Sequence, residues 1–350
     1  GGSGIRSDGE FAIYGGTITN ATGGGATGES GNGGNGIYSS LVKILGGIIT
    51  KAKGGEATGE DGDGGAGIAS DGALTIHSGN IGTAQGGTST NGNGGSGIYS
   101  NRELKIDGSA AITNATGGAS TDGTGGYGIR SGSMLTISDN AAITNATGGS
   151  GWRGGHGLFG SVMKIISSTI GTAQGGEGKT SGGNGIYGVG KLTIQKTTIT
   201  NATGNKATGN GNGGNGIYSD GKLTIENSTI TNATGGNADN GTGGSGIRGD
   251  GNSDKLSIYN ATITNATGGA STDGNGGSGI YSKGDLSIEG GTIGTAQGGS
   301  GRSGGYGIRS NQELTIEGGE IQQTAGGDAT GKGGTGGSGI RSGGTVKIWG

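Results

Sequence analysis

The chain has 350 residues, 100 of them glycine, with no proline, no cysteine and a formal net charge of -3. The lack of cysteine removes disulfides, thiol redox chemistry and thiolate metal sites, and the lack of proline or a strict Gly-X-Y period excludes a collagen triple helix. A weakly acidic balance without basic runs argues against nucleic acid as a partner, and no apolar stretch approaches a membrane span.

The first element is a Gly-Ile phrase at Ile5, and it recurs about every 30 residues: Ile37, Ile68, Ile98, Ile129, Leu158, Ile186, Ile217, Ile247, Ile280, Ile308 and Ile340. A fixed period of this size marks a solenoid, in which each unit buries its apolar side only against its neighbours. A Leu-x-Ile phrase follows, its last residue usually eight positions on, as in Ile98 to Ile106 or Ile217 to Ile225. A third, Thr-Ile-Thr, places its isoleucine five further, as in Ile194 to Ile199. Both are period-2 patterns of β-branched residues and predict short strands with one buried face. Asp-Gly, Gly-Gly and Asn-Ser punctuate them as turns. Nothing reads as a helix.

The unit ends in a glycine-rich return of variable length. From the third isoleucine to the next Gly-Ile position the returns run 19, 19, 17, 17 and 15 residues, then 16, 18, 17, 17 and 15. With the recurrence of 114–123 at 265–274, this suggests a five-coil super-repeat, 1–150 and 151–300. Ordering a residue costs about 1–2 kcal/mol, which about four aliphatics per unit cannot offset alone, so stacking is obligatory. The expected fold is all-β: a right-handed parallel β-helix of about twelve coils of roughly 30 residues, three short strands per coil plus the return. It spans 1–350 as one continuous solenoid, a rod roughly 55 Å long at about 4.8 Å per coil. A β-propeller needs four longer strands per blade and fits less well. The start at Gly1 and the stop inside a coil read as a segment of a longer repetitive chain, or as ends that stack.

The residue after each Gly-Ile isoleucine should point outward. Down the rod that row is Arg6, Tyr38, Ala69, Tyr99, Arg130, Phe159, Tyr187, Tyr218, Arg248, Tyr281, Arg309 and Arg341. Exposed tyrosine and arginine suit an interface or glycan stripe; at coil spacing they also suit stacking on one another. Both readings stand at this point. Thr-Asn-Ala-Thr supplies sequons at Asn20, Asn114, Asn145, Asn201, Asn232 and Asn265, and Asn227, Asn240 and Asn260 also match. An asparagine row bonding along the axis is the structural alternative for the first six. Outward Thr-x-Thr pairs such as Thr198/Thr200 and Thr229/Thr231 form a partial flat array, which Gly82, Gly171 and Gly294 interrupt; ordinary β-propensity accounts for it.

No catalytic constellation is visible. His77 and His156 are isolated, and the one dense acidic cluster, Glu56, Glu60, Asp61 and Asp63, reads as a solvated turn. The Gly-Gly-x-Gly strings resemble the calcium-binding nonapeptide repeat, but its aspartate position holds Arg6, Tyr38, Tyr99, Tyr218, Tyr281 or Arg341. No metal or cofactor is expected.

The G-x-GI…LTI…GGTIT rhythm, plain at Gly16–Thr19 and Gly291–Ile293, resembles the glycine-rich right-handed β-helix domains of clostridial and other bacterial surface proteins. Some of these bind carbohydrate and share the pectate-lyase-like fold. The family usually places aspartate between the turn glycines, where this chain has Ser3, Asn35, Ala66, Ser96, Tyr127, His156, Asn184 and Ser338. Calcium and acidic-sugar binding are therefore not carried over. The expectation is a non-enzymatic structural protein, a subunit or segment of an extracellular or cell-surface β-solenoid filament that self-associates. The alternative is a carbohydrate-binding adhesin using the Tyr/Arg row on a polysaccharide.

Overall fold

Period-2 alternation fixes which side of each strand faces in, and every coil repeats the same choice. In the computed structural model, which describes residues 1–251 and 256–350, the Gly-Ile, Leu-x-Ile and Thr-Ile phrases are strands, and no described residue is helical. All pair in parallel with the same phrase one turn away: Ile186 with Ile217, Leu192 with Leu223, Ile199 with Ile230. The result is a parallel β-solenoid of about 11 turns of roughly 31 residues. All twelve Gly-Ile phrases lie on strands, and eleven of them are followed by a third strand. The twelfth repeat supplies only Ile340–Ser342 and Val346–Trp349, with no third strand to close a turn.

Like residues stack into columns. Ile37, Ile68, Ile98 and Ile129 are fully buried, as are Leu74, Leu104 and Leu135, and Ile49, Ile81 and Ala84 on the third side. Each buried aliphatic contributes about 1.5–3 kcal/mol, so the thin core is continuous rather than wide. Serines sit inside the first corner: Ser70 Oγ donates to the Ala73 carbonyl at 2.9 Å, and Ser100 Oγ lies 2.8 Å from the Gly72 carbonyl one coil back. The corner before the third strand needs a left-handed residue. Gly16 and Gly47 provide it in early coils (φ 83° and 76°), Asn227 and Asn260 in later ones (φ 47° and 46°), and Ser167 and Lys196 elsewhere (φ 48° and 49°).

The returns form a packed fourth side. Bridges run along it from Ala26 to Ala57, Ser89 and Ser120, and again from Ala207 to Ala238 and Ser271. Beneath them runs a chain of backbone hydrogen bonds, two per turn. Gly34 N–H donates to Gly24, Gly55 to Gly34, Gly65 to Gly55 and Gly87 to Gly65, each at 2.7–2.9 Å. The same zigzag continues from Gly2 to Gly337, with Asn205 as its one member that is not glycine. Side-chain-free backbones meet there across turns, which is why glycine fills the return.

Candidate functional site

The Tyr/Arg face is the best-defined chemical surface. The first strands hold its row in strict register, so successive side chains lie one coil apart: Tyr187, Tyr218, Arg248, Tyr281 and Arg309 pair in sequence. The rings and guanidinium groups lie against each other. Tyr187 and Tyr218 stack with centroids 5.0 Å apart and planes 12° from parallel. Arg248 sits between Tyr218 and Tyr281, 5.7 and 5.0 Å from their centroids, and Arg309 is 5.3 Å from Tyr281. Arg6 lies 5.6 Å from Tyr38, and Arg130 lies 5.3 Å from Tyr99 and 5.9 Å from Phe159. Arg341 reaches the Tyr306 ring at 5.0 Å.

Two further sets of residues join this row from just outside the first strands. The turn position two before each Gly-Ile isoleucine adds Tyr127, His156 and Tyr306, whose rings lean into the row. The position two after the row adds anchors. Asp250 accepts Arg248 Nε at 2.9 Å and a terminal nitrogen at 2.8 Å, and Asp220 accepts the Tyr187 hydroxyl at 2.5 Å. Tyr218 also donates to Asp220, and Tyr38 donates to Asp71. Burial, then these carboxylates, raises the Tyr187 and Tyr218 hydroxyls above the usual phenol range. Gly132 and Gly343 stand where Arg6, Arg248 and Arg309 find a partner; Arg341 donates to the Tyr306 hydroxyl instead, whereas the buried Nε of Arg130 has no partner.

His156 is ringed by Tyr127, Phe159 and Tyr187, with centroids 4.9–5.8 Å away. Its Nδ1 accepts the Asn184 backbone N–H at 2.8 Å, which fixes the neutral ring. Burial first, then the charge of Arg130, pushes its pKa down to about 3. At the other histidine, His77 Nδ1 and Lys105 Nζ hold Asp107 at 2.9 and 2.5 Å. Burial alone would raise that carboxyl, but the two hydrogen bonds outweigh it and hold it below its ordinary value.

The Thr-Asn-Ala-Thr asparagines line the third side, and several bond along the axis. Asn145 donates to Asn114 at 3.0 Å, Asn232 to Asn201 and Asn265 to Asn232 at 2.9 Å. Asn20 instead accepts from Thr22 at 3.0 Å. The acidic cluster is dispersed: Glu56 faces Lys53 at 3.6 Å and Asp63 accepts the Asn93 N–H at 2.6 Å. No group of three or more histidine, aspartate or glutamate side chains among the described residues is placed to hold a metal.

Two grooves open on the Tyr/Arg face where small residues interrupt it. One, of about 520 Å³, lies over Ala66 and Ala69 between Tyr38 and Tyr99. The other, of about 250 Å³, lies over Ser245 and Ser278 beside Tyr281 and Tyr306. Comparison with family models, curated proteins and solved structures finds no match to this chain, so what the geometry assigns is the parallel β-solenoid itself.

Proposed function

We propose that the chain is a non-enzymatic structural protein, a stiff segment of an extracellular or cell-surface β-solenoid fibre that associates with copies of itself. The supporting observation is the unbroken axial hydrogen-bond chain from Gly2 to Gly337, flanked by ladders of isoleucine, asparagine and Tyr/Arg side chains. In these ladders isoleucine stacks on isoleucine, several asparagines bond along the axis, and tyrosines and arginines lie against their neighbours one turn away. That arrangement resists bending and stretching of the rod and leaves few groups free for chemistry. The resemblance to glycine-rich β-helices of bacterial surface proteins fits this role. Electron microscopy of the purified chain at rising concentration tests it. Unbranched filaments of uniform width are expected; isolated rods at every concentration would overturn self-association.

The 250 Å³ groove favours a second reading, a carbohydrate-binding adhesin. Arginines already lie against the Tyr281 and Tyr306 rings, so a sugar there would rest on hydroxyl and amide partners from Ser245, Ser278 and Asn275 beside them. Retention on a glycan array that Tyr281→Ala and Arg248→Ala abolish would support this reading, and no retention of the parent chain would remove it.

A further inference from the structure

We propose that the groove over Ala69 is a receptor site for a guanidinium group. The basis is a comparison of two places in the same row. In the later one, Tyr218, Arg248 and Tyr281 follow one another in register, and the Arg248 guanidinium fills the space between the two rings. Asp250, two residues after Arg248, accepts that guanidinium through both oxygens and also receives the Tyr218 hydroxyl at 3.1 Å.

In the earlier one, Tyr38, Ala69 and Tyr99 occupy the same three positions in the same register. Asp71 stands two residues after Ala69 and accepts the Tyr38 hydroxyl, as Asp250 accepts that of Tyr218. Every part of the arginine seat is therefore present except the arginine. Alanine leaves the seat open as part of the 520 Å³ groove. The consequence shows in the two carboxylates: Asp250 is covered, with 15 % of its side chain exposed, whereas Asp71 is exposed and forms no ion pair among the described residues.

The tyrosines can accept a guanidinium on their inner faces. Arg6 and Arg130 already occupy the outer faces of Tyr38 and Tyr99, but Tyr281 carries an arginine on each face, at 5.0 and 5.3 Å. A planar cation between the rings gains cation–π contact twice and a forked pair of charge-assisted hydrogen bonds to Asp71. A lysine ammonium lacks the planar fork and stacks less well. The groove runs on past the seat along Asn32, Asn93 and the turn glycines Gly64 and Gly94. It thus admits either a small guanidine or an arginine side chain carried on another chain.

Titration of the full chain with agmatine, followed by calorimetry and by the ring signals of Tyr38 and Tyr99, tests the site. One-to-one saturation near a dissociation constant of about 1 mM is expected, with butylamine binding about tenfold weaker. Asp71→Asn should weaken agmatine about tenfold or more. Ala69→Arg should fill the seat from within, abolish agmatine binding and raise the melting temperature; if it fails to fold, Ala69→Leu serves as the plug. No saturable response to agmatine, unchanged affinity in Asp71→Asn, or unchanged affinity in the plugged variant would each overturn the proposal. A capped Gly-Arg-Gly peptide separates the sources. Tighter binding than agmatine supports an arginine on another chain, and equal binding supports a small guanidine.

Discussion

Gly118 illustrates what a single residue must satisfy in this fold. Its N–H donates to Gly95, its carbonyl accepts from Gly126, and a Cβ there would lie 1.9 Å from the Gly87 carbonyl oxygen. The obstacle is backbone, so no side chain can swing aside. Gly118→Ala should cost at least about 3 kcal/mol or prevent folding. Gly28 lies in the same glycine-rich side but has nothing within 4 Å of an added Cβ, so Gly28→Ala should stay within about 0.5 kcal/mol of the parent. Urea melts of the two variants decide whether the return is a packed wall; equal stability would refute it. His156 gives a second residue-scale test. Its folded pKa of about 3 lies below its ordinary 6.5, so the unfolded chain takes up a proton first as pH falls. Stability present above about pH 6.5 should drain at a slope approaching about 1.4 kcal/mol per unit between pH 6.5 and 5. Asp107, held below its ordinary value, loses its contribution only at lower pH and leaves this window clear. His156→Asn keeps an acceptor for Asn184, as Asn184 Oδ1 does for Asn215 at 2.6 Å, and should flatten the slope of melting temperature against pH. An unchanged slope would assign the effect elsewhere.

At the scale of the element, strands are uniform and corners carry the variation. The left-handed corner is met without strain by glycine and at small cost by asparagine, but Lys196 occupies it at φ 49°. Lys196→Asn copies Asn227 and Asn260 from the following coils and should stabilise the chain by about 0.5–1 kcal/mol in thermal melts. A loss of stability would mean that the lysine side chain contributes something its backbone strain conceals. The three strand phrases were legible because branched residues at alternate positions state both the conformation and the buried face. Even their phase across turns could be read, since Ile199 and Ile230 pair as counted. The return was not legible. Glycine has no side chain to carry phase, and its ladder is made of backbone contacts between residues a turn apart. The phase of the Tyr/Arg row states an outward face and its coil spacing allows stacking along the axis, and the long side chains do lie against their neighbours. The aspartates two residues later share that phase but lie just past the strand ends, and the rings two positions before the isoleucine fall outside it. What gave the Ala69 seat away was the structure's repetition: two frames with the same Tyr, Tyr and Asp positions, one holding an arginine and one with alanine in its place.

Across the whole molecule, each turn pairs its strands with the turns directly above and below it, so stability should behave as a sum of turn and interface contributions. Lys179, which reaches Thr121 and Asp122 two turns away at 3.4 and 3.9 Å, lies outside residues 199–229. Removing one complete turn should therefore restore the same contacts one step further on. Deletion of residues 199–229 joins Thr198 to Ile230 and rebuilds the Thr-Ile-Thr-Asn-Ala-Thr phrase, so each column closes up by one place. Tyr187 then meets Arg248, a pairing the row already uses between Tyr281 and Arg309. The shortened chain should fold with β content per residue unchanged, and its rod should be about 4.8 Å shorter in solution scattering. Removing only the first half of that segment is a different operation. It removes the third strand from Ile199 on and nearly all of its return, joins Thr198 to Asn215 at the foot of the next first strand, and leaves one coil without Asn205 and Gly214 of the axial hydrogen-bond chain. That variant should unfold or aggregate. If the two deletions were equally tolerated, the turns would not be the cooperative units, and the axial ladders would not be what holds the rod together.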